Sequence, residues 1–290
     1  MKKFVILIPV YNDWQSVSQL LLDIDKNISN LKFDFSVLIV NDSSTDGHKI
    51  NNINLNNIKS LNVIHMKENQ GHARCIAIGL KYLLENEQLD YIIPMDGDGE
   101  DRPEEIKNFI EHINYNPNKT IVGERIKRSE NIIFKFCYSI HKLITYTFTG
   151  QSIKFGNYTC LPVSTVKKMV NEKATWSSFS GSLSKIEKVK MSSPSIRGSR
   201  YFGPSKMSFL NLIKHSLSII SVFKTNVLIR SILFLVIYLF LISENISNIT
   251  LIPFYLIILL NLLTFYFSNR ENISDFNNSL TNIKTIDRLK

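Results

Sequence analysis

Between Phe4 and Gly123, short apolar runs alternate with stretches whose apolar residues recur at helical spacing, and this alternation constrains the fold more than any other feature. The runs are Phe4 to Pro9, Phe35 to Val40, Leu61 to Met66, Tyr91 to Met95 and Thr120 to Val122. Between them, Val17, Leu20, Leu21, Ile24 and Ile28 share one helical face, as do Ile76, Ala77, Leu80, Leu83 and Leu84. Strands alternating with helices in this way predict an α/β domain built on a mostly parallel, doubly wound sheet. Pro103-Glu104-Glu105 adds a good helix opening, with proline in the first turn and acids facing the positive end of the dipole.

Asp96 and Asp98 follow the fourth run, with Glu100 two residues further on. On an extended backbone, residues i, i+2 and i+4 project to one side, so the three carboxylates are expected to converge on one hard cation, Mg2+ or Mn2+. An isolated Asp-x-Asp is more often an acidic solvated loop. An EF-hand is excluded, because its sixth and twelfth positions would be Asp101 and Lys107 in place of Gly and Glu. Neither Gly-x-Gly-x-x-Gly nor Gly-x-x-x-x-Gly-Lys-Ser/Thr occurs, which removes the main support for a dinucleotide oxidoreductase or a P-loop enzyme.

The formal net charge of +9 implies a negatively charged partner. Between Lys185 and Arg230 stand nine Lys and Arg residues against Glu187 alone, directly before the most apolar part of the chain. Basic residues in that position mark the cytoplasmic flank of a membrane segment, so nucleic acid is the weaker explanation. The scattered cysteines Cys75, Cys137 and Cys160 fit free thiols in a reducing compartment. The N-terminal apolar run is too short for a signal peptide and is followed by Tyr-Asn-Asp, so it reads as a strand.

Ser231 to Ser243 is nearly all apolar, and Ile249 to Phe267 is long enough to span a bilayer. The first segment is short by itself and needs Ile229 or Ile246 to complete it. The connector Glu244-Asn245-Ile246-Ser247-Asn248 lacks Lys and Arg while both outer flanks carry them, which predicts a hairpin with both termini in the cytoplasm. The alternative is a buried helical hairpin of a soluble protein. Met207 to Phe223 reads as an amphipathic helix at the membrane interface or, equally, as a core-packed one. The expected layout is a catalytic domain over 1–204, an interfacial helix over 205–226, a transmembrane hairpin over 227–268 and a polar cytoplasmic tail over 269–290.

Four further motifs lie at predicted carboxyl ends of strands: Pro9-Val10-Tyr11-Asn12-Asp13, Asn41-Asp42-Ser43-Ser44-Thr45-Asp46-Gly47, Asn69-Gln70-Gly71-His72-Ala73-Arg74 and Gly123-Glu124-Arg125-Ile126-Lys127-Arg128. Ligands bind at such ends in open α/β sheets. With the acidic trio, and in this order, the motifs resemble the family 2 glycosyltransferases of GT-A fold. The branch they are most similar to contains dolichol-phosphate mannose synthase and the bacterial polyprenyl-phosphate glycosyltransferases. The likeness covers Phe4 to Arg128 and resumes at Arg200-Tyr201-Phe202-Gly203-Pro204-Ser205-Lys206, similar to that branch's Arg-x-x-Gly-x-Ser-Lys.

The resemblance implies a nucleoside-diphosphate sugar donor, with Pro9, Tyr11 and Asp13 lining the base and ribose pocket and Asp42 on the nucleobase. Gly71 and Arg74 would lie on the donor side. Asp96 would contact ribose or diphosphate and share the metal site of Asp98 and Glu100, a position where the family commonly has Gln. Catalysis would rest on Asp98 with Arg125 and Arg128, whose guanidinium forks suit phosphate oxygens. His72 would be structural or near the pyrophosphate.

Beyond Arg128 the likeness weakens. Where the branch has Asp-x-x-x-Gly-Asp-Phe-Arg-Leu, this chain reads Ile153 to Leu161 with Asn157 and Thr159 at the acidic and basic positions, and no aspartate occurs between Asp101 and Asp275. A lipid phosphate acceptor needs no base, because its second pKa is about 6, and Arg125, Arg128, Lys135 or Lys142 would position it. A sugar hydroxyl would need one, from Asp101, Glu124 or Glu172. The expectation is a metal-dependent, inverting glycosyltransferase anchored in the cytoplasmic membrane and acting on a lipid-linked acceptor in cell-envelope synthesis. The alternatives are transfer to a hydroxyl of a surface polysaccharide and a non-catalytic nucleotide-binding scaffold. Self-association into a homo-oligomer through the apolar C-terminus is left open.

Overall fold

Eight strands form one sheet in the computed structural model, in the order β7-β5-β6-β4-β1-β2-β3-β8. The structure describes residues 1–46, 50, 53–127, 132–204 and 208–290, with the side chains of 127 and 132–138 excepted. In chain order the elements begin with β1 (Lys3–Val10), α1 (Trp14–Ile28), β2 (Asp34–Asn41), β3 (Ile58–Met66), α2 (His72–Asn86) and β4 (Tyr91–Pro94). Next come α3 (Ile106–Tyr115), β5 (Ile121–Lys127), α4 (Ile132–Thr149), β6 (Phe155–Pro162), α5 (Val163–Val170) and α6 (Phe179–Ile186). Last are β7 (Met191–Ile196), α7 (Phe209–Ser221), α8 (Lys224–Leu241), α9 (Ile252–Ser268), α10 (Ile273–Asn277) and β8 (Ile283–Arg288).

β1, β2, β3 and β4 pair in parallel, as the alternation predicts. Because successive strand residues face opposite ways, Phe4, Ile6 and Ile8 of β1 join α1 and α3 in one core, while Val5 and Leu7 join α2, α5 and α6 in the other. β6 runs antiparallel to both β4 and β5, and β7 lies parallel to β5. The parallel strands therefore send their carboxyl ends, and the loops that follow, to one edge of the domain.

The C-terminal expectation needs correction. Residues after Asn269 are not a free polar tail: β8 pairs antiparallel with β3 along Asn62 to Met66. Just before it, Phe276 is fully buried, its ring stacked on Trp176 at 5.5 Å, and Lys81 donates through Nζ to the Phe276 carbonyl at 3.3 Å. Burying a phenylalanine side chain stabilises by about 1.5–3 kcal/mol, enough to fasten the segment. Five of the six β8 residues are exposed, which is why the strand reads as polar in sequence.

Among the described residues, two helices are long and apolar enough to cross a membrane. One is α8, at mean hydropathy 1.8; the other starts at Ile252 with α9, at 1.6. The first extends back to Lys224 and ends at Leu241, so its completing turns come from the N-terminal side and include Ile229 but not Ile246. Only 11% of the α8 window is covered by protein, and Leu233, Val236, Phe240, Leu256 and Leu262 are among the apolar side chains left exposed. Across the pair, Asn261 Nδ2 donates to Ser231 Oγ at 2.8 Å and Tyr238 Oη to the Thr250 carbonyl at 2.7 Å. The helix α4 docks on α8: Arg230 donates to the Thr147 carbonyl at 2.9 Å and Asn226 to the Thr149 carbonyl at 3.2 Å.

Candidate active site

The chain leaves β4 at Pro94 and turns instead of continuing extended, with Gly99 at φ +87°. The expected one-sided alternation of Asp96, Asp98 and Glu100 therefore does not form, since it requires strand geometry. Asp98 Oδ1 accepts the Glu100 backbone N–H at 3.0 Å, and Asp101 Oδ2 accepts that of Asp96 at 3.0 Å. Among the described residues, no three acids, histidines or cysteines are grouped as a ready-made metal site.

Each acid instead meets its own partner. Asp96 Oδ1 accepts from His72 Nε2 at 2.9 Å and from Asn157 Nδ2 at 3.4 Å. Asp98 Oδ2 accepts from Arg200 Nη1 at 2.6 Å, while Arg200 Nη2 reaches Asp13 Oδ2 at 2.5 Å. One guanidinium thus bridges the loop after β4 to the loop after β1. Glu100 pairs with Arg197. The Arg197–Tyr201 stretch is laid along the acidic loop by backbone bonds, Gly198 N–H to the Glu100 carbonyl at 2.8 Å and Tyr201 N–H to the Asp98 carbonyl at 3.0 Å. The Tyr201 ring lies where a Cβ on Gly99 would stand, and its hydroxyl donates to Asp23 Oδ2 at 2.5 Å, so position 99 must be glycine on two counts.

Crowding sets the charges. Burial and the neighbouring Asp96 push the Asp98 pKa up to about 6, against the pull of Arg200 and Arg197. Burial and Asp96 likewise raise Asp101 to about 8, with Arg125 Nη2 4.0 Å from its carboxylate opposing the rise. Burial works against ionised Asp96, but His72 and then Arg125 hold it well below the usual carboxylate range. Burial also opposes a charged His72, and Asp96 outweighs it, raising that imidazole above its ordinary value. The His72 side chain remains 51% exposed, so this pair lines an opening and not the core.

A second group braces the neighbouring loops. Asp42, only 4% exposed, accepts the backbone N–H groups of Gln70 at 2.6 Å and Gly71 at 2.9 Å, fixing the start of α2 and thereby His72. Gly71 has φ +89°, a conformation glycine adopts without strain. Asn12, at φ +51°, accepts from the Thr45 N–H at 2.7 Å, tying the β1 loop to the β2 loop. Pro9 is buried in β1, and Tyr11 is 45% exposed beside Asn12. The Arg74 guanidinium lies 4.9 Å from the Trp176 ring, with Nη1 3.5 Å from Gln70 Oε1.

Of the residues anticipated, Asp13, Asp96, Asp98, Glu100 and Arg125 come together, with Asp42 and Gly71 behind them. Arg128 and Lys206 fall outside the described residues. Sequence reasoning missed Arg197, gave Arg200 no individual role, and weighed Asp101 only as a base. The Arg-x-x-Gly-x-Ser-Lys likeness was the one signal for Arg200, and nothing local marked Arg197.

With this geometry in hand, comparison with known proteins is decisive at the level of family. The family model described as glycosyl transferase family 2 matches residues 5–166, more than half of the chain and nearly all of the carboxylate site. The chain belongs to glycosyl transferase family 2. This family 2 chain is 27% identical over 222 residues to the undecaprenyl-phosphate 4-deoxy-4-formamido-L-arabinose transferase of Klebsiella pneumoniae (strain 342), covering 73% of the chain and 64% of the relative. The enzyme of the same description from Salmonella choleraesuis (strain SC-B67) is 24% identical over 221 residues with the same coverage. The chain thus spans a little under two thirds of these relatives' length.

Its fold is similar to that of glucosyl-3-phosphoglycerate synthase from Mycobacterium tuberculosis, solved with Mn2+, UDP and phosphoglyceric acid. The TM-score is 0.56 at 10% identity, covering 78% of each chain. S. aureus TarS 1-349 in complex with UDP-GlcNAc gives a TM-score of 0.50 at 16% identity, covering 80% of this chain and 70% of that one. The GT-A architecture expected from sequence is thereby established.

Proposed function

We propose that this family 2 chain transfers a sugar from a nucleoside-diphosphate donor to a polyprenyl phosphate or a related lipid-linked acceptor in cell-envelope synthesis. The observation that carries this reading is the carboxylate cluster of Asp13, Asp96, Asp98 and Glu100 at the carboxyl ends of β1 and β4, in a domain that continues into two exposed apolar helices. The undecaprenyl-phosphate sugar transferases among its relatives support the acceptor class.

The donor set fits a hard divalent cation. Its oxygens are carboxylates, and the mutual repulsion of Asp96, Asp98 and Asp101, which on top of burial raises the pKa of the last two, is one that a bound cation would relieve. Mg2+ and Mn2+ are commonly held by one or two carboxylates plus substrate phosphates, without a dedicated protein cage. Asp98 and Glu100, with Asp96, would hold the ion, which would neutralise the charge developing on the departing diphosphate. Arg197 and Arg200 occupy these carboxylates now and would turn toward the donor's phosphates, for which Arg forks are suited.

Transfer needs no protein base when the acceptor is a phosphate. Its ionised oxygen forms the new bond to the anomeric carbon, the bond to the diphosphate oxygen breaks, and the electron pair leaves with the nucleoside diphosphate. In-line displacement of this kind inverts the anomeric centre. Asn157, at the family's acidic position, cannot accept a proton from a hydroxyl, which favours the phosphate acceptor. Both ends of the α8–α9 pair lead to strands of one sheet, β7 and β8, which favours a hairpin entering and leaving the membrane on the same side, and the basic flanks favour the cytoplasmic one.

The test is purified protein supplied with UDP-glucose, GDP-mannose and other donors, together with undecaprenyl phosphate in vesicles. Mass spectrometry is expected to find a glycosyl phospholipid only when Mg2+ or Mn2+ is present. Transfer to sugar hydroxyls with none to the lipid phosphate would contradict the reading.

A further inference from the structure

Three polar side chains stand in a row across β2, β3 and β8. Asn41 is the register partner of His65, and Asp287 is that of Val63, two residues from His65 and so on the same face of the sheet. Asn41 Nδ2 lies 2.9 Å from His65 Nδ1, and His65 Nε2 lies 3.2 Å from Asp287 Oδ2. The row fixes its own protons. Ser44 donates its backbone N–H to Asn41 at 3.0 Å, so the atom facing it is Oδ1, and the amide Nδ2 is turned to His65. An amide N–H needs an acceptor, so His65 Nδ1 carries the lone pair and Nε2 the proton, which points at the Asp287 carboxylate.

This row holds the loops at the carboxyl ends of β1 and β2. Asn41 is 7% exposed, and through Ser44 it sets the turn that follows β2. Ser44 Oγ in turn accepts the Asn12 N–H at 2.9 Å, while Asn12 Oδ1 accepts the N–H groups of Thr45 at 2.7 Å and Asp46 at 3.2 Å. Glycines apart, Asn12 at φ +51° and Ser43 at φ +58° are the two described residues in the left-handed region. Such a backbone costs energy and persists where its surroundings hold it, as this interlock does. Asn12 precedes Asp13, which Arg200 joins to Asp98, and Asn41 precedes Asp42, which fixes the start of α2.

We propose that His65 is a positioning residue for the nucleoside half of the donor, and that β8 sets its tautomer through Asp287. The inference rests on the nucleoside-diphosphate donor read above and adds the residues that hold its loops in shape. With the diphosphate at Asp98, the nucleoside extends to the neighbouring loops after β1 and β2, which Asp13 and Arg200 join to that carboxylate. His65 acts on them through Asn41 alone. Its Nδ1 lone pair keeps the amide turned toward Ser44; in the other tautomer two N–H donors would face each other, and Asn41 would lose its orientation. Asp287 excludes that tautomer, because a bare Nε2 would meet a carboxylate with no proton between them. The strand that returns after the apolar helices thereby contributes to donor binding, beyond covering the edge of β3.

The experiment is calorimetry on the full chain with Mn2+, titrating whichever of UDP and GDP binds the wild type and, separately, pyrophosphate. His65→Leu fills similar space without a lone pair and is expected to weaken nucleotide binding about tenfold, the order expected when a buried amide donor loses its acceptor. His65→Asn, whose Oδ1 stands near the place of Nδ1, should recover most of that loss, and Asp287→Ala should show a smaller one. Pyrophosphate affinity is expected to stay at the wild-type level in all three, since the row shapes the nucleoside loops. Unchanged nucleotide affinity in His65→Leu, an equal loss in His65→Asn, or pyrophosphate affinity falling in step would overturn the proposal while leaving the donor class intact. A wild type that binds neither nucleotide would instead remove the reading on which it rests.

Discussion

Asn157 stands where the related branch has a carboxylate, and its surroundings account for the difference. Its Nδ2 lies 3.4 Å from an Asp96 oxygen that also accepts from His72, so an amide donates where an acid would repel. Two carboxylates at such a distance cannot readily both ionise. Asn157→Asp is therefore expected to lower kcat at neutral pH by at least about tenfold. Asn157→Ala, which loses one hydrogen bond of about 1 kcal/mol, should cost roughly fivefold. Steady-state kinetics decide it, and an aspartate variant as fast as wild type would contradict the positioning role. The acidic residues were legible because carboxylates clustered after an apolar run are conspicuous. Their partners were not, because Arg200 lies 102 positions from Asp98, and no local pattern connects a loop arginine to an acid so far away.

Among the elements, the central strands were legible because they are apolar on both faces and short. Those at the margins were not. β7 carries serines and a proline, and β8 is an exposed edge strand whose charged residues imitate a solvated tail. The connection between α1 and β3 was also hidden, since it depends on a single side chain. Asp25, 7% exposed, accepts the backbone N–H groups of Asn56 at 3.1 Å, Asn57 at 2.7 Å and Ile58 at 2.8 Å. Burial would raise its pKa, but these donors outweigh burial and hold it below the ordinary value. The stability it contributes is thus present above the unfolded pKa of about 4 and is lost as pH falls through the lower folded value. Asp25→Ala should cost about 2–3 kcal/mol at pH 7, from unpaired buried donors. Denaturant melts at pH 7 and pH 3 should show the difference between the variant and wild type shrinking in acid; a pH-independent gap would contradict this account.

For the whole molecule, the two edge strands of the sheet bracket the apolar helices in the chain: it leaves from β7, passes through α7, α8 and α9, and returns as β8 beside β3. The apolar helices were legible from hydropathy alone, whereas their return to the catalytic domain was not, because the returning segment is polar and its pairing partner lies more than 200 positions earlier. This return ties the segment after the apolar helices to the same sheet that carries the carboxylate loops. The central claim is that the loop after β4 binds the donor's diphosphate together with a divalent cation. Calorimetric titration of UDP into the purified protein, with Mn2+ and with a chelator, tests it most directly. The account predicts binding with Mn2+ that weakens at least tenfold on chelation and in Asp98→Ala; equal binding with and without metal, and in the variant, would contradict it.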